Sequence, residues 1–198
     1  MLTRIATFIA KKLLANGLIE EDDTDLYVYG LEVLISTICS FLTVLLLGIV
    51  LSEIITALIY LAVLIIIRRF TGGYHARTYI GCNLSCCVIF IVSLYISKAV
   101  YFNLIPTIII HSVGMILIVA FSPVENQNKP LSQKKRKRNK RLSILSCAIL
   151  STLSICLSAY GLPYSTILTV SYVDVLILMV CGHIINRRRE VKMNEKAV

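Results

Sequence analysis

A histidine and a cysteine stand seven residues apart in the stretch RRFTGGYHARTYIGC, which covers residues 68–82. Catalysis by a cysteine requires the thiolate, and a free thiol with a pKa of about 8.5 is mostly protonated at neutral pH. A neighbouring imidazole or a helix N-terminus can provide the activation. The pair therefore predicts nucleophilic catalysis, with His75 as the base and Cys82 as the nucleophile.

The spacing of the two residues constrains the backbone between them. Residues i and i+7 of a straight helix share a face but lie about 10.5 Å apart along its axis. Because the imidazole and the thiol could not touch at that distance, we expect a turn or re-entrant loop between Gly72 and Gly81, which glycine permits by adopting positive φ. The alternative is that His75 is a polar anchor near a membrane surface and Cys82 a small core residue.

The elements that must position this pair are apolar. Of the 198 residues, 57% are hydrophobic and 16% are charged, and the mean hydropathy is +0.82. A soluble domain is about half apolar and a quarter charged, whereas a membrane-spanning helix needs about 20 apolar residues. The chain therefore predicts an all-α polytopic membrane protein with six spans, which are Leu26–Leu51, Ile54–Ile67, Cys82–Phe102, Leu104–Phe121, Leu142–Tyr160 and Tyr164–Ile185. The second span has only 14 residues, so a re-entrant hairpin is an alternative there.

The distribution of basic residues predicts the orientation. Four segments hold 3, 3, 8 and 5 of the 20 Lys and Arg residues and alternate with three short connections that hold none. Because basic loops stay in the cytoplasm, all four should lie inside, together with both termini and the His75–Cys82 stretch. The four segments are residues 1–25, 68–81, 122–141 and 186–198.

Two segments outside the predicted spans are expected to contact the membrane surface. The first 17 residues place Leu2, Ile5 and Ile9 at helical spacing, which predicts an amphipathic helix lying on the inner membrane surface. The basic loop 122–141 contains KKRKRNKR, residues 134–141, which would suggest nucleic acid in a soluble protein. Beside a spanning helix, anionic lipid headgroups explain it better, and an acidic peptide is a third possibility.

Several polar side chains lie within the predicted spans. We assign His111 and His183 to hydrogen bonds between helices. Asp174 is a candidate functional carboxylate, although a structural ion pair with Lys98 is the favoured interpretation. A metal site at His75 and the cysteines at 82, 86 and 87 matches no standard zinc spacing, so we expect neither a metal nor another cofactor.

The stretch 68–82 resembles the signature of the accessory gene regulator B (AgrB) family, membrane cysteine endopeptidases that mature quorum-sensing peptides. The matching positions are Arg68 or Arg69, Gly73, His75 and Cys82. A second element, SPVENQNKPLS at residues 122–132, precedes a lysine-rich run and two closing spans. The resemblance therefore extends over nearly the whole chain and implies a single membrane peptidase domain, residues 1–198, with its transmembrane region at residues 26–185.

The resemblance implies a concrete reaction. A propeptide of the AgrD type would be cut on its C-terminal side through a thioester on Cys82, and a cysteine of the peptide would then close a thiolactone ring. Arg68, Arg69 and Gly73, with Glu125 and Lys129 of the second element, would support catalysis or bind substrate. Homodimers are also implied, at the cell membrane.

Parts of this scheme remain open. The backbone N–H groups near Gly81 to Asn83 are a first guess for donors to the oxyanion, and the third catalytic residue could be Glu125, Asn126 or Asp174. The alternatives to an enzyme are a small membrane transporter or exporter and a non-catalytic scaffold.

Overall fold

The computed structural model describes residues 2–73, 78–124 and 132–197, with side chains described up to residue 188. These residues form helices joined by short connections, and the helices account for most of the described chain. A single 3-10 turn, Glu21–Asp23, precedes the second helix. The helices in chain order are α1 (Leu2–Ala15), α2 (Thr24–Val50), α3 (Ile54–Thr71), α4 (Tyr79–Ala99), α5 (Leu104–Phe121), α6 (Gln133–Ala159) and α7 (Ser165–Ala197).

Six of the described helices, α2 to α7, are long and apolar enough to cross a membrane, which confirms the predicted all-α polytopic fold. The doubtful second span is a complete helix of 18 residues and not a re-entrant hairpin. It gains its length from Arg68 to Thr71, beyond the last apolar residue, Ile67. Long basic side chains allow such an extension because their charged ends can reach the membrane surface.

The N-terminal helix follows its predicted pattern. Helix α1 buries Ala6 and Ala10 against the body of the protein and leaves Ile5 and Phe8 largely exposed. Gly17, with φ of +66°, follows the helix, and glycine in this conformation commonly terminates a helix. Apolar side chains that remain exposed on one face are consistent with the predicted interfacial helix.

The basic segment departs from its predicted structure. Residues 133–141 were expected to belong to a loop, but they form the first turns of α6. Ser132 caps this helix, because its side chain accepts a hydrogen bond from the N–H of Lys135 at 3.4 Å. Lysine and arginine are good helix formers, so a run of them extends a spanning helix into water without breaking it. The basic loop of residues 122–141 is therefore shorter than predicted.

The centre of the bundle lies at α3 and α7. Helix α3 buries eight side chains, including Tyr60, whose ring packs against Phe90 of α4 with the centroids 5.2 Å apart. Over its spanning part α7 is more buried than α2, α4 or α5. These two helices therefore form the buried centre of the bundle, and the remaining spans pack around them.

Buried polar groups connect the spans. His111 of α5 lies 3.0 Å from Ser151 Oγ of α6 through Nδ1 and 3.4 Å from Thr169 Oγ1 of α7 through Nε2. This arrangement confirms the prediction that His111 makes hydrogen bonds between helices. His183 packs against the ring of Phe121, with centroids 5.0 Å apart.

The predicted ion pair between Lys98 and Asp174 is wrong. Lys98 Nζ lies 2.6 Å from Glu53, and Asp174 accepts a hydrogen bond of 2.5 Å from Ser93. The physical reason is depth in the bundle: Lys98 lies in the last turn of α4, beside the connection from α2 to α3. Asp174 lies nine residues after Ser165, so it is about 14 Å further along α7 from the start of that helix, towards the middle of the bundle.

Candidate active site

Cys82 lies in the first turn of α4 and is half-buried. The helix begins at Tyr79, three residues before the predicted start, because Thr78 acts as its N-cap. Thr78 Oγ1 accepts a hydrogen bond of 3.1 Å from the N–H of Gly81. The sulfur of Cys82 is therefore carried by a capped helix end, where the helix dipole is positive.

The backbone N–H groups that were predicted to bind the oxyanion already make hydrogen bonds within the protein. Gly81 donates to the Thr78 side chain, and Cys82 donates to the Thr78 carbonyl oxygen at 3.0 Å. Asn83 comes next, inside the regular helix, where its N–H has the usual acceptor four residues back. This prediction is therefore wrong, because the N–H groups that lack an acceptor within the helix are those before Gly81.

A narrow cleft opens beside Cys82 between α3, α4 and α7. Its volume is about 30 Å³, which is room for about one water molecule and too little for a peptide side chain. Most of the surface that lines it is apolar. The lining residues are Tyr60, Leu64, Arg68, Cys82, Ser85, Cys86, Ile89 and Leu178.

The two adjacent arginines have different surroundings. Arg68 is half-buried and lines the cleft with Cys82, whereas Arg69 is exposed and lies over the ring of Phe70, 5.9 Å from its centroid. Of these two arginines, Arg68 is therefore the one that brings a positive charge to the cleft. The sequence alone did not distinguish the two.

The glycines after α3 allow close backbone contacts. The segment forms a parallel bridge between Gly72 and Val124, and the N–H of Val124 donates to the Thr71 carbonyl oxygen at 2.8 Å. Gly72 has φ of +69°, and a Cβ at this position would overlap the Val124 carbonyl oxygen. Only glycine fits such a site without displacing the neighbouring chain.

Gly73 brings the same segment onto α7. Its φ is +146°, and a Cβ there would lie 3.3 Å from the Leu178 carbonyl oxygen. Leu178 also lines the cleft beside Cys82. Gly73 therefore lies against a residue that lines the cleft with Cys82, which places the chain just before His75 close to this cleft.

Three of the predicted site residues, His75, Glu125 and Lys129, lie outside the described residues, as does Asn126. The described chain stops two residues before His75, at Gly73, and one residue before Glu125, at Val124. Because Gly72 and Val124 are bridged, these two ends of the described chain are neighbours in space. Gly73 and Val124 both lie at the end of the bundle that carries the cleft.

The structure also adds residues that the motif did not indicate. Cys86 shares the cleft with Cys82, and its spacing of four residues on one helix could have predicted that. Tyr79 donates a hydrogen bond of 2.7 Å to Glu32 of α2, which fixes the start of α4. No sequence pattern predicts Tyr60 or Leu178, because they come from distant helices.

Comparison with known proteins identifies relatives over most of the chain. The family model described as "Accessory gene regulator B" matches residues 3–184. An AgrB-like protein 2 of Clostridium perfringens (strain 13 / Type A) is 31% identical over 73% of this chain and 71% of its own length. An AgrB-like protein of Clostridium perfringens (strain SM101 / Type A) is 27% identical over 86% of this chain and 84% of its own length. No solved structure matches the chain.

Proposed function

This chain belongs to the accessory gene regulator B family, and we propose that it is a membrane-embedded cysteine endopeptidase that also cyclises its product. Membership places the protein in the accessory gene regulator quorum-sensing system and implies a propeptide of the AgrD type as its substrate. The finer proposal is that Cys82 cuts this propeptide on its C-terminal side through a thioester. The observation that carries it is the position of Cys82, half-buried at a capped helix end beside Arg68.

The base in this proposal is His75. Gly73 lies against Leu178, which also lines the cleft beside Cys82. His75 is two residues from Gly73, a chain length of at most about 7 Å. An imidazole on so short a tether is within reach of the cleft, although residues 75 and 82 of a continuous helix would be too far apart.

The chemistry follows in two acyl transfers. His75 takes the thiol proton, the Cys82 sulfur attacks the scissile carbonyl carbon, and the C–N bond breaks. The imidazolium returns its proton to the departing amine of the C-terminal fragment. A thiol of the bound N-terminal fragment then gives its proton to His75 and attacks the thioester carbonyl carbon. The bond from that carbon to the Cys82 sulfur breaks, the thiolactone closes, and the imidazolium returns the proton to the departing Cys82 thiolate. Attack within one molecule gains about 7 to 11 kcal/mol from proximity when the groups are well aligned.

Arg68 is the proposed electrostatic partner of this reaction. A guanidinium that lines the cleft can stabilise the thiolate and the oxyanion of each tetrahedral intermediate. The small apolar cleft supports the second transfer, because it admits little water that could hydrolyse the thioester. Gly73 positions the loop, while Glu125 and Lys129 are proposed to contact the imidazole or the substrate from the segment after Val124.

The surroundings of the enzyme complete the proposal. The basic segments at the Cys82 end of the bundle face the cytoplasm, so the propeptide is cut at the inner surface. Anionic lipid headgroups bind the basic first turns of α6, which are exposed from Lys134 to Arg138. The protein acts as a homodimer, as the family resemblance implies.

Replacement of the nucleophile tests the proposal. Cys82→Ser should reduce cleavage of a co-expressed cognate propeptide by about 10³-fold or more, because a serine hydroxyl is not ionised at neutral pH. Cleavage is measured by the appearance of the C-terminal fragment in mass spectra of membranes.

Two other cysteines provide matched controls. Cys86→Ser removes a thiol from the same cleft and Cys87→Ser removes its neighbour, and both variants should keep at least half of the wild-type cleavage. Unchanged cleavage by Cys82→Ser, or an equal loss in all three variants, would contradict the proposed nucleophile.

A further inference from the structure

A second cavity lies at the opposite end of the bundle from Cys82. It has a volume of about 220 Å³ and lies between the start of α3, the end of α4 and the start of α7. Lys98, which lines it, follows Cys82 by 16 residues on α4, so the two sites are about 24 Å apart along that helix. The reaction proposed above uses none of the residues around this cavity.

The start of α7 supplies hydrogen-bond donors to the cavity. Ser165, Thr166 and Ile167 line it and form the first turn of the helix. The first backbone bond of the helix runs from the N–H of Leu168 to the Tyr164 carbonyl oxygen at 3.1 Å. The three preceding N–H groups therefore have no acceptor within the helix. Such a helix end attracts anions, because the free N–H groups and the helix dipole act together.

The side chain of Ser165 adds a second, independent indication of a ligand. The residue is 1% exposed, and its Oγ makes no hydrogen bond to any residue that the structure describes. A buried hydroxyl without a partner is unfavourable, and native structures rarely retain one. Because Ser165 lines the cavity, an acceptor bound there would satisfy this hydroxyl.

Charged groups of both signs complete the site. Lys98 Nζ lies 2.6 Å from Glu53, which also accepts a hydrogen bond of 2.7 Å from Thr56. These two partners, Lys98 first, hold the pKa of Glu53 below its usual value. An ammonium has three donors and a carboxylate accepts several bonds, so each group can still bind an opposite charge on a ligand.

We propose that this cavity binds a phosphate group joined to a primary ammonium, as in phosphoethanolamine. The phosphate oxygens would accept bonds from the start of α7, the Ser165 hydroxyl and Lys98, and the ammonium would bind Glu53. The cavity is smaller than the 300–1,000 Å³ or so of sites for drug-sized ligands, which suits a headgroup. Exposed Tyr101 and Tyr164 line its rim, as tyrosines do at a membrane surface.

Two arms of one experiment separate a lipid source from a soluble source. The full-length protein is placed in nanodiscs of phosphatidylglycerol, and binding is measured by native mass spectrometry and by the shift of Tm. In one arm phosphatidylethanolamine replaces part of the lipid, and in the other soluble glycerophosphoethanolamine is added. Binding in the first arm alone identifies a lipid headgroup, and binding in the second identifies a soluble ligand.

Ser165→Ala is the decisive variant, because it removes a hydroxyl that holds no described hydrogen bond and should leave the fold intact. Its affinity should fall about tenfold, which is the effect of losing one bond to a charged group. Ser146→Ala, which removes a hydroxyl on α6 that bonds only within its own helix, should bind as the wild type does. Lys98→Gln should weaken binding further.

Three results would overturn the proposal. The first is a wild-type protein that binds neither probe. The second is binding of phosphatidylethanolamine no stronger than binding of phosphatidylglycerol, which would exclude a role for the ammonium. The third is a Ser165→Ala variant that binds as tightly as the wild type.

Discussion

Adjacent residues of one helix can have unrelated roles, as Arg68 and Arg69 show. Successive side chains project about 100° apart around a helix, so only one of the two can face the cleft. Arg68 does so, while Arg69 is exposed and contacts Phe70. A positive charge fixed beside a sulfur stabilises the negative charge that develops there during acyl transfer. An exposed arginine contributes little, because water screens its charge.

The two arginines therefore give a matched test at the residue scale. Arg68→Gln should slow propeptide cleavage by about 10²-fold, the usual effect of removing one group that stabilises an oxyanion. Arg69→Gln should stay within about twofold of the wild type, as expected for an exposed charge. In a protein that also carries Cys86→Ser and Cys87→Ser, the rate at which iodoacetamide alkylates Cys82 should fall in Arg68→Gln and stay unchanged in Arg69→Gln. A larger loss of cleavage in Arg69→Gln than in Arg68→Gln would contradict the role proposed for Arg68.

Small residues decide how closely the helices approach. Gly114 of α5 lies against Tyr172 of α7, and a Cβ at this position would overlap the Tyr172 ring. The same ring stacks on His111 with the centroids 4.4 Å apart. His111 in turn bonds Ser151 of α6, so one contact region joins three helices. Close packing and hydrogen bonds of this kind hold membrane helices together, since lipid offers no hydrophobic gain.

Gly114→Ala should therefore loosen this region. Overpacking of a close contact costs about 1–3 kcal/mol, and the loss should appear as a lower Tm of the protein in detergent. Gly30→Ala is the control, because no described atom outside its own stretch of helix lies within 4 Å of the Cβ that it adds. That variant should keep or slightly raise the Tm, since alanine favours a helix over glycine. Equal Tm values for both variants would refute the packing role of Gly114.

At the scale of the whole molecule, the bundle has two chemically different ends. One end carries Cys82, Arg68 and the basic start of α6, and the other carries the neutralised pair of Lys98 and Glu53. A spanning protein retains its basic end in the cytoplasm. The same helices thus support the proposed peptidase site on one side and a separate cavity on the other.

Reporter fusions test this orientation. A green fluorescent protein fused after Val198 should fluoresce, and alkaline phosphatase at the same position should be inactive. Alkaline phosphatase fused after Leu162, in the connection from α6 to α7, should be at least about tenfold more active than the fusion after Val198. That connection contains no basic residue, so it is expected on the outer side of the membrane. The reverse pattern would place Cys82 outside the cell and exclude cleavage in the cytoplasm.

The sequence predicted the spans because apolar length is a local property. Each helix must cover the same hydrocarbon thickness, so its approximate bounds follow from its own residues. The errors lie at helix ends: α4 begins at Tyr79 because Thr78 caps it, and α6 begins at Gln133 because basic residues continue a helix in water. Cys82 was correctly expected near a helix start for the same local reason.

Only the tertiary structure decided which distant groups meet. It paired Lys98 with Glu53 and Asp174 with Ser93, and it brought Val124 onto Gly72. Such partners depend on the rotation and depth of each helix in the bundle, which close contacts between helices determine and no single segment encodes. The sequence alone determined the length, charge and chemistry of each helix, and packing determined which side of it faces a cleft, a neighbour or lipid.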